Sequence, residues 1–131
     1  MSARDDAFNV ANYLGRVSQA ADRLHAATEQ AGQAGLARVK ANASGRPGPR
    51  RVTGDYTRSM NVTVSHKAGS VTAEIGTNAA QALRLEFGFH GTDSLGRRYN
   101  NSPLPHWRPM WEWVDGYYYN LATTAVATAL G

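Results

Sequence analysis

The sequence contains no cysteine. This absence excludes disulfides, thiolate nucleophiles and cysteine-based zinc sites, and it fits a reducing compartment. No run approaches the ~18 consecutive apolar residues of a membrane-spanning helix, and the first ten residues lack the apolar stretch of a secretory signal. We therefore expect a soluble intracellular protein with no membrane partner.

Patterns of metal-binding and catalytic residues are equally scarce. No two of the four histidines have the spacing of a zinc-ligand pair: His25, His66, His90 and His106. Glu86 could serve as a general base with Asp55 or Asp93 as its partner, but a lone glutamate at a helix end is more often structural. The segment GFHGTDSLG lacks the lysine and the strand–loop–helix setting of a phosphate-binding loop. We expect no catalytic site, no metal and no cofactor, and hence no enzyme.

Positive charge is concentrated in one segment. Residues 44–67 carry five basic side chains and one acidic side chain, which gives this segment a net charge of +4. The net charge of the whole chain is also +4. So local an excess predicts an anionic partner. Two interpretations stay open, since the arginines could meet acidic groups of another protein or, nonspecifically, DNA phosphates. The sequence shows no helix-turn-helix or RNA-recognition pattern that would favour sequence-specific binding.

The N-terminal third has the pattern of a long helix. With 131 residues, 42% of them hydrophobic, the chain is expected to form one domain, 1–131, with a modest core. Within residues 1–43, apolar and small side chains recur at steps of three and four. A continuous helix of this length would measure roughly 57 Å, so it either bends near Gly32 and Gly35 or projects from the domain. We interpret it as an assembly or packing helix.

In the rest of the chain, segments rich in proline and glycine alternate with short stretches of periodic apolar residues. Prolines and glycines predict a basic loop or arm at 44–58, and alternating apolar residues predict a β-hairpin at 59–77 that turns at Gly69. A short helix is expected at 78–88, with Asn78 as its N-cap and Gly88 at its end. A long loop or irregular hairpin, 89–105, leads to a closing helix, 106–131.

Together these elements predict an α+β fold: a long N-terminal helix, a small antiparallel β-sheet, a short helix, and a C-terminal helix packed on the sheet. The last helix should bury three side chains against the sheet: Trp107, Trp111 and Val114.

Four stretches in fixed order, TGDYTRSM, VTAEIGT, LEFG and HWRPMW, resemble a family of small head–tail joining proteins of long-tailed bacteriophages. These proteins are called neck, tail-completion or tail-terminator proteins. The resemblance covers roughly residues 35–126, with Tyr56 at a usual leucine and Met60 at a usual isoleucine. The matching motif residues are Thr53, Gly54, Ser59, Gly76, Thr77, Glu86, Phe87 and Gly88.

The resemblance implies a structural virion protein that forms a ring, hexameric by analogy, between the capsid connector and the tail tube. Its expected partners are neighbouring connector or head-closure proteins and tail-tube proteins, with genomic DNA passing through the lumen and touched nonspecifically at most. It would be found in the virion, and in the host cytoplasm during assembly. The alternative is a small basic DNA-contacting accessory protein without enzymatic activity. The residues expected to contact a neighbouring subunit or partner are Arg46, Arg50, Arg51, Arg58, Arg97 and Arg98.

Overall fold

The computed structural model describes residues 3–45, 48–49, 54–67, 69–92 and 94–131, without the side chains of residues 3–9 and 99. The predicted α+β architecture is confirmed, with a long first helix, small antiparallel sheets, a short helix and a long last helix. No helix in the described ranges is long and apolar enough to cross a membrane. The elements in chain order are α1 (Ala3–Asn42), α2 (Gly54–Ser59), β1 (Asn61–Lys67), β2 (Ser70–Gly76), α3 (Ala82–Phe87), β3 (Phe89–Thr92), β4 (Arg98–Asn101) and α4 (Trp107–Leu130).

Helix α1 continues without interruption through both of its central glycines. Its 40 residues span about 60 Å at ~1.5 Å per residue. A Cβ on Gly32 would lie 2.9 Å from the Cβ of Ala73 on β2, and one on Gly35 would lie 3.3 Å from the Sδ of Met110 on α4. The glycines therefore let the sheet and α4 approach the helix closely. Residues 10–19 are all exposed, so the N-terminal part of the helix projects from the folded body.

Helix α4 runs antiparallel along α1. Near one end of the contact, the Asn42 side-chain amide donates to the His106 carbonyl at 3.1 Å. Further along, the hydroxyls of Thr28 and Tyr118 are 2.9 Å apart. The main partner of the last helix is therefore α1 and not the sheet on which it was predicted to pack. A sheet of only two strands is too narrow to cover a helix of 24 residues, whereas α1 offers a stripe of matching length.

The core lies where α1, α2 and α4 meet. Val114 is buried and Trp107 packs against the core from its edge. The prediction for Trp111 is wrong, since 46% of this residue is exposed. Neighbouring helix positions differ by about 100° in direction, so Trp111 turns away from the face on which Met110 is buried. The central buried side chains are Val39, Tyr56, Met60, Met110 and Val114.

Two separate hairpins follow α2. In the first, β1 and β2 pair from Asn61↔Gly76 to Lys67↔Ser70, and Gly69 takes a positive φ of 76° at the turn, as predicted. The second, β3 with β4, lies inside the segment 89–105, for which a long loop or irregular hairpin was predicted. Of these two alternatives the hairpin is observed: four residue pairs form a short antiparallel ladder, from Phe89↔Asn101 to Thr92↔Arg98.

Two further local predictions are also corrected. Gly54–Ser59 forms helix α2 at the end of the segment expected to be an arm, and its Thr57 hydroxyl donates to the Gly54 carbonyl at 3.1 Å. The N-cap position of helix α3 is Gln81 and not Asn78, and the Gln81 side chain forms no capping hydrogen bond. The Thr77 hydroxyl accepts a hydrogen bond from the Ala79 backbone at 3.1 Å, which makes a turn where the cap was predicted. The predicted end at Gly88 is observed, with a φ of 79°.

Candidate functional site

Three segments that are distant in sequence meet in a buried polar cluster, which we call the joint. It consists of Tyr56 from α2, Glu86 from α3, and His106 and Trp107 at the start of α4. Tyr56, Glu86 and His106 are 8%, 6% and 0% exposed. The joint therefore brings together residues of TGDYTRSM, LEFG and HWRPMW inside the molecule.

Glu86 caps the N-terminus of α4. Its Oε1 accepts hydrogen bonds from the backbone amides of His106 and Trp107, both at 2.9 Å, and its Oε2 accepts one from Arg108 at 3.0 Å. The first amides of a helix lack acceptors within the helix, and negative charge is favoured there. Burial acts to raise the pKa of Glu86, but the three backbone hydrogen bonds act together in the opposite direction and leave the pKa below its ordinary value. The carboxylate is thus held in its ionised form.

His106 links the carboxylate to α2. Its Nδ1 lies 2.8 Å from the Leu104 carbonyl and 3.2 Å from the Glu86 Oε1, and because both neighbours are acceptors, Nδ1 carries the proton. Its Nε2 then accepts from the Tyr56 hydroxyl at 2.5 Å, and that hydroxyl accepts from the Trp107 indole N–H at 3.1 Å. Burial raises the pKa of Tyr56 above its ordinary value, as expected for a phenol removed from water.

The polar side chains of the joint are hydrogen-bonded to one another or to the backbone. Among the described residues, no buried side-chain nitrogen or oxygen lacks a hydrogen-bond partner. The Glu86 carboxylate is occupied by three amides, and His106 has no contact with solvent. A general base needs a position from which it can reach a substrate proton. Of the two interpretations of Glu86, this arrangement supports the structural one.

A second pair of motif residues anchors the first hairpin. The hydroxyls of Ser59 and Thr77 are 2.6 Å apart. Ser59 donates to the Tyr56 carbonyl at 2.5 Å, so Thr77 donates to Ser59 while accepting from the Ala79 amide. These bonds tie the end of α2 to the end of β2. Ser59 and Thr77 thus set how the hairpin leaves the joint.

Gly88 allows the chain to turn tightly after α3. A Cβ at this position would lie 2.6 Å from the Asn101 carbonyl oxygen and 3.0 Å from the Pro103 nitrogen. A positive φ together with this close approach requires glycine. Phe87, in contrast, is 71% exposed, so the middle residue of the Glu-Phe-Gly motif is available at the surface.

The predicted contact arginines do not form one described cluster. Arg58 is exposed on α2 and pairs with Asp55 on the same helix. Arg97 and Arg98 are exposed on the β3–β4 hairpin. Their role in contacting a partner stays a prediction. Four of the predicted residues lie outside the described residues: Arg46, Arg50, Arg51 and Thr53.

Sequence reasoning missed two members of the joint. Tyr56 was identified only as the residue at a usual leucine position, and His106 only as a histidine without the spacing of a zinc ligand. The sequence separates these two residues by 50 positions, and no local pattern pairs them. The usable signal is chemical: a histidine at the first position of the expected closing helix, together with a glutamate that has no ion-pair partner on its own short helix.

Comparison with models of known protein families gives a match. A family model described as "Bacteriophage HK97-gp10, putative tail-component" matches residues 9–88. No curated protein and no solved structure matches the chain. The matched range extends from Asn9 on α1 to Gly88, and so contains Tyr56 and Glu86 of the joint as well as the Ser59–Thr77 pair.

Proposed function

Because the chain belongs to the HK97 gp10-like family of bacteriophage tail components, we propose that it forms a ring at the head–tail junction of the virion. The ring would join the capsid connector to the tail tube as a neck, tail-completion or tail-terminator protein. Membership in the family establishes a phage tail component. The ring, its position in the particle and its neighbours are the proposal.

The observation that carries the proposal is the way the motif residues are used. Tyr56 and Glu86 hold segments of one chain together through functional groups that are occupied inside the fold, and Gly88 permits a close approach of the backbone. The exposed surfaces are therefore the parts available for contacts with other proteins, as expected of an assembly protein without catalytic activity. Exposed apolar residues on α1, α3 and α4 supply such surfaces.

The proposed partners follow from the family and the charge distribution. Neighbouring connector or head-closure proteins and tail-tube proteins would contact the two faces of the ring. The basic segment 44–67 would meet acidic groups on these proteins or on a neighbouring subunit, since arginine forms paired hydrogen bonds with carboxylates. DNA passing through the lumen would be contacted nonspecifically at most.

Labelling of virions tests the proposal. An epitope tag placed after Gly131 should be detected by immunogold electron microscopy at the head–tail junction of intact particles. Label at the tail tip, or none on particles, would overturn the proposed position. The alternative DNA-contacting function predicts binding of purified protein to DNA at micromolar concentration or tighter, weakening steeply with salt. The ring proposal predicts no such binding at physiological salt.

A further inference from the structure

The first half of α1 carries an apolar stripe that its own chain does not cover. Val10, Tyr13, Leu14 and Val17 are 58%, 60%, 59% and 41% exposed. They lie at steps of three and four, on the same face of α1 that is buried against α4 and the sheet from Ala20 onward. Ala20 on α1 and Ala129 on α4 are both buried at this end of the helix pair. We call residues 10–19 the α1 overhang.

The folded body carries an apolar groove. Two adjoining cavities of about 600 and 690 Å³ share Ile75, Trp111 and Glu112 in their walls. The groove lies between β2, α3 and α4, with Gly32 of α1 among its lining residues. We call it the Trp111 groove. The large apolar side chains exposed along it are Leu83, Phe87, Trp111 and Tyr118.

The overhang cannot reach the groove of its own chain. A continuous helix holds Leu14 roughly 27 Å from Gly32, at ~1.5 Å per residue. Contact between the two surfaces therefore requires two copies. Because the surfaces differ, such a contact is head-to-tail, and head-to-tail contacts close into a ring when the rotation between copies allows it.

Charge favours a second copy as the occupant. Arg16 and Arg23 lie seven residues apart, on the same flank of the apolar stripe. On the groove wall, α4 carries Glu112 and Asp115. Glu112 pairs with Arg108 at 3.2 Å, whereas Asp115, Arg16 and Arg23 form no ion pair with any other described residue. An apolar ridge with a basic flank thus matches an apolar groove with an acidic wall.

We propose that the α1 overhang of one copy docks in the Trp111 groove of the next copy, with Val10, Leu14 and Val17 as its anchors. This spacing of four and three residues is the one by which a helix fills a groove. The proposal deepens the ring assembly proposed above and rests on it. It specifies which two surfaces form each contact of the ring.

Cysteine cross-linking tests the contact directly, because the chain has no cysteine of its own. Leu14→Cys and Leu83→Cys variants are mixed and treated with a short bis-maleimide. Leu83 is a suitable partner because it lines the groove and is 71% exposed. The mixture should give a covalent dimer, and a chain carrying both substitutions should give a ladder of oligomers.

A matched control uses Gln19→Cys, which is exposed on the overhang but about 140° around the helix from Leu14. Mixed with Leu83→Cys, it should cross-link at least tenfold less. If Leu14→Cys cross-links to itself as well as to Leu83→Cys, the overhangs pair with each other and the proposal is wrong. It is equally wrong if the mixture with Leu14→Cys yields no more dimer than the control.

A binding measurement gives a second, independent test. Leu14→Asp should raise the dissociation constant for self-association on the order of 30-fold or more, as expected for an anchor residue, while Gln19→Asp should change it less than about threefold. Equal effects of the two variants would contradict the proposal. The ring's position in the virion is tested separately by labelling. Cross-links without label at the junction would reject the position alone, and label without cross-links would reject this contact alone.

Discussion

The joint and the Trp111 groove lie within a few residues of each other on α4, yet they are built in opposite ways. In the joint, polar groups are buried and every one of them has a partner. In the groove, apolar groups such as Trp111 and Phe87 remain exposed. The joint is complete within one chain, whereas the groove lacks a covering surface. The buried motif residues Tyr56 and Glu86 therefore maintain the fold, whereas Phe87, from the same set of motifs, lies exposed in the groove.

Removal of the carboxylate from the joint should have the largest effect on stability. Glu86→Ala leaves three backbone amides at the start of α4 without this acceptor, and we expect a loss of at least about 3 kcal/mol, taking roughly 1 kcal/mol, the lower end of the range, for each amide because two of them are only partly buried. Urea unfolding measures this loss. Glu112→Ala is the matched control, since this exposed glutamate on the same helix should cost less than about 1 kcal/mol. Equal losses would mean that Glu86 is not a buried cap.

Two tryptophans on α4, one before and one after Met110, test the difference between the joint and the groove. Trp107→Ala removes packing against the core and the hydrogen bond to Tyr56, with an expected loss of about 3 kcal/mol. Trp111→Ala should cost only about 1 kcal/mol, because nearly half of the residue is already exposed. The same urea experiment compares the two. A larger loss of unfolding free energy for Trp111→Ala would show that Trp111 belongs to the core and does not line an exposed groove.

The joint also predicts a pH dependence. Because the pKa of Glu86 is lowered in the folded state, its stabilising contribution is fully present above the unfolded-state pKa of about 4.3. It is lost as the pH falls through the lower folded-state pKa. Unfolding free energies between about pH 6 and pH 3 should therefore fall more steeply for the unaltered chain than for Glu86→Gln. Parallel curves would show that Glu86 titrates alike in the folded and unfolded states.

Much of the fold follows from local patterns. Alternation predicted the β1–β2 hairpin, including its turn at Gly69, and three- and four-residue steps predicted α1 and α4. The wrong predictions concern segments whose conformation or orientation depends on tertiary contacts. The wide stripe of α4 contains Trp107, Met110 and Trp111, and the sequence cannot say which of these faces α1. Helix α2 follows prolines and glycines that dominate the local signal, and it is stabilised by burial of Tyr56 and Thr57.

The candidate surfaces were only partly visible in the sequence. The spacing of Val10, Leu14 and Val17 predicted an apolar face, but only the structure leaves that face uncovered. The joint was not predicted as a unit, because hydrogen bonds across 20 and 50 residues leave no periodic trace. The motif positions Ser59, Thr77 and Glu86 were identified by resemblance, and the structure supplies their physical roles.

The central claim is that the monomer is held together by the joint, whereas assembly uses surfaces that the monomer does not need. The most direct test is a chain carrying Val10→Gln, Leu14→Gln and Val17→Gln, studied by urea unfolding and sedimentation equilibrium. Glutamine keeps helix propensity, and the replaced side chains are exposed. The account predicts that the unfolding free energy changes by less than about 1 kcal/mol, and that the variant stays monomeric where the unaltered chain forms oligomers. A variant that still assembles, or one that loses several kcal/mol of stability, would contradict the account.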